Sequence, residues 1–137
     1  MKRLFLIYSL LWITSFGFSQ SSLVENPKEF INDHIEKQSS AYRELALKIW
    51  DLAELGFLET ESTALLMQPL QEAGFSIETG VAGMPTSFIA EWGNGGPVIA
   101  FLAEFDALPA MSQAAVPYNQ AREEGQSGHA CGHHLFG

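Results

Sequence analysis

This chain of 137 residues is poor in cysteine and in basic residues. Cys131 is the only cysteine, so an internal disulfide cannot form. Seven lysines and arginines stand against sixteen aspartates and glutamates, which gives a formal net charge of −9. Nucleic acids and anionic membrane surfaces attract basic patches, so this balance argues against both as partners. Internal repeats and low-complexity linkers are also lacking.

The only apolar run longer than a strand lies at the N-terminus. Two basic residues precede residues 4–18, which are almost entirely apolar but fewer than the ~20 residues that a membrane-spanning helix needs. Gly17 and Ser19 are the small residues typical of a signal peptidase site. We therefore predict a signal peptide over residues 1–19 and export to the periplasm or the medium, without membrane association after cleavage. A membrane anchor is the rival interpretation. Cleavage would leave five basic and sixteen acidic residues, a net charge of −11.

Two segments have the periodicity of amphipathic helices. Apolar residues recur at spacings of three and four over residues 27–55 and again over residues 61–73. Asn26 is a suitable cap for the first helix, and Thr60 or Ser62 for the second. The core residues expected around the end of the first helix include Trp50 and Phe57.

Three segments after these helices have the composition of strands. They are residues 75–79, 86–92 and 98–103, and the last is a continuous apolar run typical of a strand buried on both faces. Helices followed by strands predict an α/β layer fold with a central sheet.

Two carboxylates follow the last predicted strand. Open α/β sheets place ligand sites just beyond the carboxyl ends of their strands, where Glu104 and Asp106 lie. The rival interpretation is that both are solvated loop residues. The sequence alone does not decide between these two interpretations. The polar, irregular stretch 111–128 follows, and a loop of that length is more often functional or mobile than idle.

The end of the chain concentrates the residues that bind zinc and similar borderline metals. Three of the four histidines and the only cysteine fall within residues 127–137. Gly132 separates Cys131 from His133, and its conformational freedom lets a thiolate and an imidazole approach one cation. That donor pair favours zinc or a similar metal over magnesium or calcium. The rival interpretation is a glycine-rich turn whose histidines face solvent.

Four short motifs, in a fixed order, resemble those of a known family. They are WDLAELGF at residues 50–57 with Glu59, AGMPT at 82–86, AEFDALP at 103–109 and GHACGH at 128–133. Together they resemble the start of the di-metal amidohydrolases of the aminoacylase and carboxypeptidase superfamily. The nearest branch is that of aminobenzoyl-glutamate hydrolase and the indoleacetyl–amino acid hydrolases. The resemblance extends over essentially all of residues 20–137.

The resemblance implies a fold, a cofactor and an activity. The fold is the N-terminal part of a zinc-peptidase-like catalytic domain, without the lid domain that often mediates homodimerisation in full-length members. The cofactor is two divalent metal ions, zinc or manganese. The implied reaction is hydrolysis of an amide bond in a small N-acyl or aryl amino acid or a dipeptide. In the family pattern Cys131 and His133 are metal ligands, and Asp106 supports the metal site as a catalytic residue.

The chain also departs from the family pattern. Glu104 stands where related branches have a metal-binding histidine, and His134 stands where commoner versions have Asp or Asn. The family's glutamate pair, which supplies the general base, lies beyond Gly137. We therefore expect an incomplete catalytic domain that binds metal weakly and is inactive alone. The alternatives are a small secreted metal-binding or interaction domain and the remnant of a disrupted gene.

Overall fold

The computed structural model describes residues 26–137, so the predicted signal peptide lies outside the described residues. Helix α1 spans Pro27–Leu52 and helix α2 spans Thr60–Glu72. Strands β1 (Ser76–Thr79) and β2 (Phe88–Glu91) follow, with short 3-10 turns at Val81–Gly83 and His133–Leu135. The described residues thus form a mixed α/β structure, as predicted. None of their helices is both long and apolar enough to cross a lipid bilayer.

The chain divides into two compact units, and the boundary falls within α1 after Ile35. The described part of the first unit is the start of this helix. There the Asn26 side chain accepts a hydrogen bond from the backbone N–H of Glu29 at 3.3 Å and donates one to the Glu29 carboxylate at 3.2 Å. These reciprocal bonds satisfy an N–H group that the first helical turn leaves unpaired, which confirms the predicted cap. The candidate site lies in the second unit, Glu36–Gly137.

Both helices end at backbone conformations that a helix cannot continue. Ala53 has a φ of 45°, so α1 stops three residues before the predicted end. Gly74, with a φ of 89°, follows α2 as predicted. The predicted caps of α2 are wrong: Thr60 is its first helical residue, and Ser62 lies inside the helix. The start of α2 is instead bonded by a carboxylate from earlier in the chain, described below.

The sheet of the described residues has two antiparallel strands. Ser76 pairs with Glu91 and Thr79 with Phe88. The third predicted strand is wrong, because residues 98–103 have no strand conformation and are exposed, Phe101 at 94% and Leu102 at 95%. A strand that is apolar on both faces needs neighbours on both faces. The described residues supply none, so the predicted central sheet does not form among them.

Few apolar side chains are fully buried among the described residues. They are Ile49 on α1, Leu66 on α2 and Ala107 in the segment that leads to the candidate site. Trp50 is half-buried, whereas Phe57 is exposed and has a positive φ of 68° in the turn between the helices. The prediction that Phe57 belongs to the core is therefore wrong, because its side chain is 60% exposed in that turn.

Candidate metal-binding site

The site is built on a short extended segment held between two others. The backbone N–H of Ala107 donates to the carbonyl of Glu54 at 2.7 Å, just beyond the end of α1. Leu108 and Gly128 exchange two backbone hydrogen bonds, both at 3.0 Å. Gly128 is buried, and a Cβ atom there would clash with the Met111 carbonyl. These contacts bring the AEFDALP and GHACGH motifs side by side, as their predicted common function requires.

His133 is held on both sides of its imidazole ring. Its Nδ1 donates to the Asp106 carboxylate at 2.8 Å, while its Nε2 lies 3.2 Å from Glu104 Oε2. The histidine side chain is largely buried, but Glu104 is 59% exposed. A carboxylate that accepts from Nδ1 fixes the ring orientation and makes Nε2 the nitrogen available to a metal ion. Of the predicted site residues, the structure thus brings Asp106 and His133 together.

Cys131 stands apart from this arrangement. It is an exposed free thiol in a tight turn, in which the N–H of Gly132 donates to the carbonyl of His129 at 3.1 Å. Gly132 has a φ of 76°, a conformation that favours glycine and agrees with the flexibility expected of it. Across residues 26–137, no group of three His, Cys, Asp or Glu side chains is arranged to hold a metal ion. The assignment of Cys131 and His133 as ligands therefore stays a prediction.

The other two histidines of the cluster pack against each other. Their ring centroids are 4.9 Å apart, and His129 Nε2 donates to the carbonyl of Ile49 on α1 at 3.0 Å. The Nδ1 atoms of His129 and His134 are buried without a hydrogen-bond partner. Burial lowers the pKa of both rings, and each also lies near another histidine. Both side chains are thus suited to be neutral groups, and His129 attaches the motif to α1.

The loop before the motif is attached to the end of α1 by three contacts. Arg122 Nη2 lies 2.6 Å from Asp51 Oδ1, and its guanidinium stacks over the Trp50 ring at 4.5 Å from the centroid. Ser127 Oγ donates to the carbonyl of Ala53 at 2.5 Å. Arg122 was not predicted to have a role. One signal was available, because it is the only basic residue after Lys48 in a strongly acidic chain.

Comparisons with known proteins place these features in a superfamily. No protein-family model matches the chain. One relative is a component of the p-aminobenzoyl-glutamate hydrolase of Escherichia coli, to which the chain is 42% identical over 109 residues, or 79% of this chain and 23% of that protein. Against the hippurate hydrolase of Campylobacter jejuni, it is 32% identical over 97 residues, or 67% of this chain and 24% of that protein.

A third relative has a related activity in its name. The N-acetylcysteine deacetylase of Bacillus subtilis is 39% identical over 82 residues, which are 58% of this chain and 21% of that protein. The chain spans about a quarter of the length of the curated relatives it matches. The chain is homologous to these proteins, which belong to the amidohydrolase and peptidase superfamily, as its four motifs predicted.

Proposed function

We propose that this chain supplies the N-terminal part of the catalytic domain of a metal-dependent amidohydrolase. The substrate class is the amide of an amino acid, either an N-acyl or aryl amino acid or a dipeptide. The names of the relatives support this class, because p-aminobenzoyl-glutamate, hippurate and N-acetylcysteine are all small molecules of this kind. The observation that carries the proposal is the Asp106–His133 contact between two of the four motifs.

The donor types of His133 and Cys131 suit zinc or a similar divalent ion, although the two side chains do not converge in the described residues. His133 offers Nε2 because Asp106 occupies Nδ1, and an exposed Cys131 thiol belongs to the same turn. When bound, such ions would polarise the amide carbonyl and lower the pKa of a water molecule. Asp106 fixes the orientation and tautomer of His133, and His129, which packs against His134, holds the turn against α1. No residue of this chain is assigned as the general base.

The proposal is tested by grafting the chain onto a relative. The aligned residues of the E. coli hydrolase component would be replaced by those of this chain, and hydrolysis of p-aminobenzoyl-glutamate measured with zinc or manganese. We expect turnover in the chimera and a loss of at least about a hundredfold with His133→Ala or Asp106→Asn. Glu78→Gln, an exposed change on β1, is the control and should leave turnover unchanged.

The ungrafted chain provides the complementary measurement. We expect it to show no metal-dependent turnover of N-acyl amino acids and to bind zinc weakly, because few of its donors converge. Tight binding of one ion by the chain alone, with an inactive chimera, would contradict the proposal and support a small metal-binding domain instead.

We also propose export through residues 1–19, which N-terminal sequencing of secreted protein would test.

A further inference from the structure

The carboxylate on the open side of His133 has no part in the function proposed so far. Asp106 occupies Nδ1 of the ring, so Nε2 is the only nitrogen left to bind a cation. Glu104 Oε2 lies 3.2 Å from this atom and belongs to a side chain that is 59% exposed. The two carboxylates, which are two residues apart in the sequence, therefore contact opposite nitrogens of one imidazole. Asp106, whose side chain is 35% exposed, contacts Nδ1, and the more exposed Glu104 contacts Nε2.

The separation of these two atoms is close to the shortest separation of neighbouring ligands on one metal ion. Zinc–nitrogen and zinc–carboxylate bonds of about 2.0–2.2 Å at a tetrahedral angle place adjacent donors roughly 3.3–3.6 Å apart. The observed distance between Nε2 and Oε2 is 3.2 Å. We propose that Glu104 is a metal ligand beside His133, so that one cation takes a carboxylate oxygen and an imidazole nitrogen from this chain. This inference rests on the metal dependence proposed above and adds a ligand to it.

The chemistry of the pair agrees with this assignment. A carboxylate oxygen and an imidazole nitrogen are both metal donors, and an oxygen ligand suits manganese as well as zinc. The competing explanation is that Glu104 only accepts a hydrogen bond from the Nε2–H of a protonated His133. In that case Glu104 competes with a metal ion for Nε2, so its replacement would not weaken metal binding, whereas loss of a ligand would.

The experiment measures metal binding at His133 directly in the full 137-residue chain. Zinc chloride is titrated into nitrogen-15-labelled protein, and the imidazole resonances are followed by NMR at pH 7.5, with calorimetry for the dissociation constant. We expect Nε2 of His133 to respond to zinc while its Nδ1–H remains. Glu104→Gln should raise the dissociation constant by at least about tenfold. Glu104→Asp, which keeps the charge on a shorter side chain, should recover part of that loss.

The controls separate this inference from the function on which it rests. Glu78→Gln removes a distant surface charge and should leave the dissociation constant unchanged. If His133→Asn abolishes binding but Glu104→Gln binds zinc as the wild type does, Glu104 is not a ligand and the proposed metal dependence stands. If zinc leaves His133 of the wild type unperturbed throughout the titration, the inference and the metal role of His133 both fail.

Discussion

At the scale of single residues, Glu54 connects the end of α1 both to the start of α2 and to the segment that carries the site. Its carboxylate accepts hydrogen bonds from the backbone N–H groups of Glu61, at 3.1 Å, and Ser62, at 2.8 Å. Its carbonyl accepts the bond from Ala107 that positions the site segment. The carboxylate thus caps α2 from outside the helix, where a negative charge also favours the positive end of the helix dipole.

Glu54→Ala should lower the free energy of unfolding by roughly 1 kcal/mol at neutral pH, because two helix N–H groups lose their partner. Burial alone raises the pKa of Glu54, but hydrogen bonds from Ser62 and Glu61 outweigh it and lower the pKa below its ordinary value of 4.5. The ionised form is therefore favoured in the folded state. Its stabilisation is complete above pH 4.5 and is lost as the pH falls through the lower folded-state pKa.

Urea unfolding of wild type and Glu54→Ala at pH 7 and pH 3 checks this prediction. The stability gap between the two proteins should be smaller at pH 3, and Glu54→Gln, which keeps one acceptor oxygen, should fall between them at pH 7. A gap that is equal at both pH values would show that the carboxylate charge does not stabilise α2. Glu78→Gln again serves as the control for removal of an unconnected charge.

The site residues that the sequence predicts are those whose chemistry is local, and the metal-ligand roles of Cys131 and His133 stay predictions. Cys131 and His133 are marked by their types and spacing, and Asp106 by its place after an apolar run. Glu54 and Arg122 could not be found in this way, because their partners lie 7–8 and 71 positions away. A contact across such separations depends on how the helices and the loop fold back, which periodicity does not encode.

At the scale of elements, both helices were predictable and the third strand was not. Helical periodicity reports hydrogen bonds within one segment, so α1 and α2 appear close to their predicted bounds. A strand depends on neighbours elsewhere in the chain. Among the described residues only β1 and β2 pair, and a short connection joins them. The run at residues 98–103 has the composition of a buried strand but lacks the neighbours that would bury it.

The loop between the two site motifs gives a prediction at the same scale. Arg122→Ala should remove its ion pair with Asp51 and its stacking on Trp50, and loosen the loop from α1. Because these groups are partly exposed, we expect a loss of unfolding free energy of only about 1 kcal/mol. The more sensitive measurement is hydrogen exchange, which should become faster in the backbone N–H groups of residues 112–127.

A matched control is available within α1. Lys48 forms an ion pair of 3.0 Å with Glu44 on the same helix, so Lys48→Ala removes a surface charge without involving the loop. Exchange in the loop should be unchanged in this variant. Equal exchange rates in the loop of wild type and Arg122→Ala would show that Ser127 alone is sufficient to attach it.

At the scale of the whole molecule, the described residues expose an unusual amount of apolar surface. Val98, Ile99, Phe101 and Leu102 are all exposed side chains in one run of six apolar residues. Such a run is a site at which chains associate with one another, because its backbone groups and its side chains both lack partners in the described structure. The isolated chain should therefore bind a hydrophobic dye and sediment as species larger than a monomer.

Ile99→Lys with Phe101→Asp should reduce both dye binding and the sedimentation coefficient, since charges within the run oppose association. Leu135→Asp, a charge placed on an exposed apolar residue outside the run, is the control and should have a smaller effect. Sedimentation of the wild type as a monomer without dye binding would contradict this prediction.

The buried glycine that opens the GHACGH motif and the histidine that closes it serve different purposes. Gly128 is required by space, because any side chain there would meet the Met111 carbonyl, whereas His133 offers a nitrogen that chemistry can use. A related chain without the proposed activity would still need the glycine to fold, while its histidine could be replaced. Among related sequences, the histidine and its two carboxylate neighbours would therefore report on the proposed metal site, and the glycine only on folding.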